Sequence, residues 1–379
     1  MSIGKVLIAG GGIGGLCVAQ GLQRAGISVE VFERDQSPNA RAQGYRFRID
    51  PQGHEALRAC LPDELFDLYQ RTSNKPSSPP VGAFDHRMNL VYRIPGIPSG
   101  AVHTAVNRLT LRQVLLQGLE SEIRFGMEVS GVEQDSECVG VRFVNGEMAE
   151  GDLLIAADGT NSVLRRTLLP AAEVADLGYV CIYGRTPVDE ETLTWMPEAL
   201  QGGFTPVVGP DASLALAMFR MREHDPRVDA VHDYLMWVLV FAATPLPSSS
   251  AELHEMAVLR IRDWHPDLHR LVGMADVPAT FPITLRTSRP VEPWPASRVT
   301  FLGDSIHTMT PAGGVGANTA MRDAALLTRL LTSADRGELP LLEAISQYEC
   351  EMREYGFAAV QHSLQSAANL YRAPLRGQP

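Results

Sequence analysis

Four positions near the amino terminus have the residue types and spacing to hold a nucleotide. Gly10, Gly12 and Gly15 fall in GxGxxG order within Gly10-Gly11-Gly12-Ile13-Gly14-Gly15, and Glu33 lies 18 residues beyond Gly15 (33 − 15). Gly10 permits a tight turn, Gly12 lets a pyrophosphate approach the backbone, and Gly15 lets a helix pack closely, while Glu33 accepts hydrogen bonds from a ribose. An acid there, and not a basic residue, disfavours a 2′-phosphate, so the resident nucleotide reads as ADP-like, from FAD or NAD. The fingerprint does not choose between those two. Arg34 next to it either stacks on adenine or stands as a solvated charge. A second glycine-rich run, Gly313-Gly314-Val315-Gly316, opens another helix near Ala317, and its amides and positive end suit developing negative charge.

These residues need elements to position them. Val6 to Ala9 reads as a buried parallel strand, Leu16 to Ala25 as the following helix and Ser28 to Phe32 as a second strand ending at Glu33, which completes a βαβ unit. In Tyr45-Arg46-Phe47-Arg48-Ile49 the alternation places Arg46 and Arg48 on one strand face. Further on, Tyr179 to Tyr183, Leu214 to Phe219 and Leu235 to Phe241 read as strands, and Ala251 to Met274 as a helical pattern. Lys75 to Pro80 and Ser248 to Ser250 read as connectors, and no internal repeat is evident.

Composition narrows the class. A chain of 379 residues favours two associated domains, and 45% hydrophobic with 20% charged residues is ordinary for a globular enzyme. A net charge of −11 opposes a nucleic-acid partner. Five scattered cysteines without CxxC spacing suggest neither a disulfide framework nor a zinc site, and point to a reducing, cytoplasmic compartment. His265 and His269 are interrupted by Pro266 and lack a completing carboxylate, so no metal is expected. No apolar run reaches the roughly 20 residues of a membrane span; Tyr234 to Ala243 reads as a buried strand. A Gly-x-Ser-x-Gly elbow is absent.

The stretch from Arg298 through Phe301-Leu302-Gly303-Asp304-Ser305-Ile306-His307, Pro311 and the glycine loop to Asn318 and Met321-Arg322-Asp323-Ala324 resembles the second FAD motif of the single-component flavin hydroxylases. That is the family of para-hydroxybenzoate hydroxylase and the tetracycline-inactivating monooxygenases. Asp152 to Arg165, with Asp158-Gly159, is similar to the family's DG motif, and Val106 to Leu115 to its arginine-bearing helix. The signatures follow the family's order from residue 6 to about 330. Two departures stand out: Ser305-Ile306 replaces Ala-Ala before His307, and Arg322 replaces a glutamate before Asp323.

The resemblance implies an α/β fold, with a Rossmann-like FAD-binding domain, an interleaved and mainly antiparallel substrate sheet, and a carboxy-terminal helix. The FAD-binding domain is expected over 1–75, 101–176 and 286–345, the substrate domain over 76–100 and 177–285, and the helical segment over 346–379. It implies that Asp304 bonds the ribityl chain, that Arg108 reaches FAD, and that Pro311 lies beside the flavin. The cofactor residues are then Gly10, Gly12, Gly15, Glu33, Arg34, Arg48, Arg108, Asp158, Asp304, Gly314, Gly316 and Asn318. Arg46 and Pro311 are the candidates for contact with the reacting centre, and one of Arg46 and Arg48 faces FAD or substrate. His307 reads as a structural histidine before a base. Tyr183, Arg185, Phe204, Met218 and Arg220 are candidate substrate contacts, of which strand alternation lets only half face a cavity.

The activity so implied is oxygenation of a small, largely apolar aromatic or polycyclic molecule, with bound FAD, transient NAD(P)H and a flavin C4a-hydroperoxide. Hydroxylation, epoxidation and Baeyer–Villiger insertion are all open, as is a monomer or a homodimer. A second GxGxxG is missing, which agrees with transient nicotinamide docking. A reductase of prenyl-type double bonds and a ligand-sequestering or redox-sensing flavoprotein are the rivals. A flavin halogenase is disfavoured because Trp195, Trp237, Trp264 and Trp294 never form Trp-x-Trp.

Overall fold

The structure, a computed structural model, describes residues 3–38, 40, 45–75, 82–93 and 104–371. Of the connector Lys75 to Pro80, all but Lys75 lies outside the described residues.

The chain begins with β1 (Val6–Ala9), α1 (Ile13–Arg24) and β2 (Val29–Glu33), the expected βαβ unit. A strand β3 (Arg46–Ile49) leads into α2 (Pro51–Cys60) and α3 (Asp63–Arg71). Helix α2 starts where Asp50 accepts from the Gly53 N–H at 2.8 Å and Pro51 supplies a preset φ at the first position. After β4 (Gly82–Asp85), β5 (Leu90–Arg93) and β6 (Thr104–Asn107) comes α4 (Arg108–Leu116), capped by the Asn107 side chain. Then follow β7 (Ile123–Phe125), β8 (Val129–Gln134), β9 (Val139–Phe143), β10 (Met148–Gly151), β11 (Leu153–Ala156), α5 (Val163–Leu168) and β12 (Val174–Pro187).

The second half holds α6 (Glu190–Trp195), β13 (Phe204–Val208), β14 (Ala212–Phe219), β15 (Tyr234–Ala242), α7 (Ser250–Arg260) and α8 (Pro266–Gly273). It closes with β16 (Phe281–Ser288), β17 (Val299–Phe301), α9 (Gly316–Asp335) and α10 (Leu341–Tyr371). The single helical pattern expected from Ala251 to Met274 is two helices. The first ends at Arg260 with Ile261 as its C-cap, and the second starts at Pro266, where a missing N–H costs no hydrogen bond, with His265 as cap.

Two sheets organise the molecule. A parallel sheet in the order β17-β11-β1-β2-β7 carries the amino-terminal unit, and its other three strands, β7, β11 and β17, arrive from distant sequence. Register places Ala9, Ala156 and Phe301 side by side at the carboxyl ends of their strands. The other sheet runs β16-β12-β15-β14-β13-β4-β5 and is mostly antiparallel. One of its faces, with Ile182, Leu216, Met218 and Trp237, packs in one core with Leu253 and Ala257 of α7 and Leu268 and Leu271 of α8. The opposite face carries Tyr183, Ala215, Ala217, Phe219, Tyr234, Met236 and Val238, against Tyr45 and Leu364. The β3/β6 pair lies between the two sheets in sequence and carries Arg46 opposite Asn107.

Candidate functional site

The nucleotide fingerprint forms at the end of β1. Gly10 has φ +116°, and a Cβ there would sit 2.2 Å from the Ala157 carbonyl; a Cβ on Gly15 would sit 2.1 Å from the Gly10 carbonyl. Both positions therefore require glycine to pass the strand end and pack the helix. Gly12 differs, since a Cβ there meets nothing within 4 Å. It borders a cleft of about 180 Å³ lined also by Glu33, Arg34, Arg108, Arg112, Met127, Asp158 and Val163.

Glu33 is buried, and each of its oxygens accepts one backbone bond, from Gly11 N–H and from Asp35 N–H, both at 2.9 Å. A carboxylate offers about four acceptor positions, so capacity remains for sugar hydroxyls. Arg34 is exposed beside it. A residue that sequence reasoning missed completes this corner. Arg112, one helical turn after Arg108, is buried, donates to the Gly11 carbonyl at 2.9 Å and to the Pro38 carbonyl, and lies 3.8 Å from Glu33. Its signal was present, because positions four apart share a helix face.

Arg108 opens α4, donates its backbone N–H to the Tyr45 carbonyl and places its guanidinium 6.0 Å from the Tyr45 ring centroid. Asp158 accepts from Val163 N–H through Oδ2, while Oδ1 is buried with no hydrogen bond. Desolvation raises its pKa despite the helix-entry bonds that oppose it.

The Gly-Asp segment docks against the same strand ends. The Ser305 hydroxyl donates to the Ala156 carbonyl at 2.6 Å and accepts from Leu302 N–H, while Arg165 donates to the Ser305 carbonyl at 2.8 Å. The serine that departs from the family pattern thus ties β17 to β11. Asp304 projects its carboxylate into the open, and the surrounding protein raises its pKa by desolvation, against the pull of His307 and Arg108.

His307 is fully buried and its Nε2 lies 2.7 Å from Asp323. Asp323 also accepts from Gly303 N–H at 2.8 Å and from the Tyr355 hydroxyl at 2.6 Å. Burial lowers the His307 pKa, but the adjacent carboxylate outweighs it and the net shift is upward. This is a tether between the Gly-Asp turn, α9 and α10. Nothing in the sequence pattern marked Tyr355 as its third member. Arg322, the other departure, lies 3.7 Å over the Tyr355 ring.

At the start of α9, Gly314 adopts φ +64° and Pro311 is exposed. Asn318 is buried, with its amide donating to the Arg48 and Gly314 carbonyls and accepting from Asp50 N–H. The side chain clamps the glycine loop to β3, so its polar atoms already have protein partners. Gly316 lies one residue inside that junction, and Arg48 is exposed beside it.

The expected substrate contacts divide between the two faces of the second sheet. Tyr183 stacks on Phe281 at 5.3 Å, and Arg185 and Phe204 share its side through their cross-strand partners Met236 and Ala217. Arg185 is held by Asp276 at 2.7 Å. Met218 is the correction: it points into the core shared with α7 and α8, because it is one residue out of phase with Ala217. Arg220 lies just past β14 with Nε 3.9 Å from Asp233. Among the described residues, no helix is long and apolar enough to cross a membrane, and no cluster of His, Cys, Asp or Glu could hold a metal ion.

An FAD fits what is present: an open approach at Gly12, spare acceptor capacity on Glu33, an orphaned buried oxygen on Asp158 and a carboxylate at Asp304 without a hydrogen bond among the described residues.

Comparison with known proteins gives the same picture. A family described as "FAD binding domain" matches residues 98–363, and one described as "NAD(P)-binding Rossmann-like domain" matches residues 8–72. The chain is 34% identical over 92% of its length to the dual O-methyltransferase/FAD-dependent monooxygenase CTB3 of Cercospora beticola, spanning 44% of that protein. It therefore covers about half the length of the first such relatives. It is 27% identical to the FAD-dependent monooxygenase thnD of Trichoderma harzianum, covering 94% of this chain and 91% of that one. A Photorhabdus luminescens crystal structure, described as of an FAD-containing monooxygenase, superposes with a TM-score of 0.85 at 32% identity, covering 98% of this chain and 99% of that one.

Proposed function

The chain belongs to the FAD-dependent monooxygenase family, and from that premise we propose that it binds FAD, is reduced by NAD(P)H and inserts one oxygen atom into a small, largely apolar aromatic or polycyclic substrate. The observation that carries the reading is convergence. The carboxyl ends of β1, β11 and β17 are in register, and they bring Gly10–Gly12, Asp158 and Asp304 to one edge of the parallel sheet. Ligands of open α/β sheets bind at such an edge.

FAD supplies the oxygen-transfer chemistry when bound. The chain's own residues hold and shield it. Glu33 takes the ribose, the α1 amino terminus faces the pyrophosphate, Arg108 neutralises charge beside it, and Asp304 takes the ribityl hydroxyls. The α9 amino terminus, held by the Asn318 clamp, directs its amides at developing negative charge. Pro311 borders that loop, and the Tyr183 face of the second sheet offers an apolar, water-excluding wall. In this reading residues 1–75, 101–176 and 286–345 serve FAD, and 76–100 with 177–285 serve the substrate.

Hydroxylation is the outcome best supported, since the Cercospora relative joins an O-methyltransferase to its monooxygenase and a new hydroxyl is what such a transferase accepts. The test is NAD(P)H oxidation by FAD-loaded protein across aromatic and polycyclic compounds, with mass spectrometry of the products. A substrate-stimulated rate and a product heavier by one oxygen atom are expected. Flavin reduction without oxygen insertion across the panel would instead indicate a reductase.

A further inference from the structure

We propose that Arg46 is a specificity residue that reads an ionised oxygen on a planar aromatic substrate, an inference that rests on the monooxygenase reading above. Most arginines around the site are already engaged. Arg112 and Arg165 donate to backbone carbonyls, and Arg185 is doubly bonded to Asp276. Arg46 is not: its Nε is buried with no hydrogen-bond partner, and no ion pair holds it among the described residues. The charged or titratable groups that act on it are Tyr234 and Arg48, neither of them a carboxylate, and desolvation pulls its pKa down to about 10. A guanidinium desolvated without a counter-charge is costly, and an anionic ligand oxygen removes that cost.

The surroundings select the rest of the ligand. The Tyr234 hydroxyl, fully buried, accepts from Asn107 Nδ2 at 3.1 Å, so its own O–H is left to donate. Burial raises its pKa, which keeps it a neutral donor. Asn107, the cross-strand partner of Arg46, bonds the Tyr234 hydroxyl, and Arg46 and Tyr234 act on each other electrostatically, so a guanidinium that holds its charge and a phenol that holds its proton stand near one another. The sheet face that carries Tyr234 is apolar, with the small Ala215 and Ala217 clustered with Phe219, Met236 and Val238. Tyr45, Tyr183 and Phe281 form an aromatic group on the same face, Tyr183 and Phe281 within 6° of parallel. A phenolate, an enolate or a carboxylate on a fused or single aromatic ring satisfies both halves of that surface. For a phenolate, the charge would also enrich the ring in electrons, which favours electrophilic oxygen transfer.

The probes are 2-naphthoate and its neutral counterpart 2-naphthamide, titrated into FAD-loaded protein and read by perturbation of the flavin spectrum. The wild type is expected to prefer the acid by about tenfold or more, the range of a charge-assisted bond in a desolvated site. Arg46→Met should abolish that preference with FAD affinity unchanged, and Arg46→Lys should restore part of it; circular dichroism melting checks that both variants fold. Equal affinity, or none, for the two probes in the wild type overturns the proposal while leaving the monooxygenase reading intact. Loss of FAD affinity in Arg46→Met with the acid preference kept also overturns it, and makes Arg46 a cofactor ligand. A wild type that takes up no FAD sinks the monooxygenase reading and the proposal together.

Discussion

In the nucleotide cleft the groups that matter are backbone amides, two obligatory glycines and a few carboxylates held at the ends of parallel strands. On the second sheet they are side chains whose direction reverses at each residue. The cleft is therefore specified by short contiguous motifs, where a residue's type and its neighbours nearly fix its role. The sheet is specified by phase, so that Ala217 and Met218, adjacent in sequence, belong to different cores. Carboxylates show the same division. Asp323, buried on α9, is saturated by His307, Gly303 and Tyr355 and serves the architecture, whereas the exposed Asp304, just past β17, has no hydrogen bond to its carboxylate among the described residues.

The sharpest way to break this contrast is at the glycines. Gly10→Val forces a Cβ against the Ala157 carbonyl at a positive φ and should lower stability by roughly 3 kcal/mol or more, seen as a drop in the denaturation midpoint. Gly12→Ala meets no protein atom, so it should leave the midpoint in place and weaken only FAD binding. If both variants lose stability alike, the open approach at Gly12 is misassigned.

A second pair tests the two faces. Met218→Ala should cost about 3 kcal/mol by cavity formation against α7 and α8 while leaving ligand preference unchanged. Met236→Ala, on the opposite face, should shift the preference among aromatic ligands. The reverse outcome would exchange the roles of the faces.

Outside both regions, Glu349 is buried on α10, accepts from the Thr300 hydroxyl at 2.9 Å, and is pushed by desolvation up to about 7. The folded state then holds a proton that the unfolded state releases at its ordinary value, near 4.5. Stability from this group is present below that value and declines as pH rises to about 7, by roughly 3 kcal/mol at most. Glu349→Gln should flatten the fall in melting temperature between pH 5 and 8, to be followed by calorimetry at about those two values. An unchanged slope would place the titration elsewhere.

The smallest expected effect is Asp304→Ala, which should weaken FAD by about tenfold through loss of a ribityl partner, with little change in the apoprotein's melting. Equilibrium titration with FAD checks it, and unchanged affinity would show that the carboxylate does not face the cofactor.

Beyond FAD itself, which the family resemblance implied, the sequence determined the βαβ unit with its ADP-like nucleotide, the strand ends that carry Gly10 to Gly15 and Asp304, and the three long strands of the second sheet. Those follow from local pattern: a strand, a glycine turn and a helix are adjacent in the chain, and their spacing is set by backbone geometry. It misread Ala251 to Met274 as one helix because hydrophobic period alone does not register the turn that separates Arg260 from Pro266. Only the tertiary structure decided that Met218 turns away from Tyr183, that Arg112 closes the corner beside Glu33, and that Tyr355 completes the tether of His307 and Asp323. Each of those depends on which distant strand or helix supplies the neighbour, and a period-2 strand looks the same in sequence whichever of its faces is turned inward.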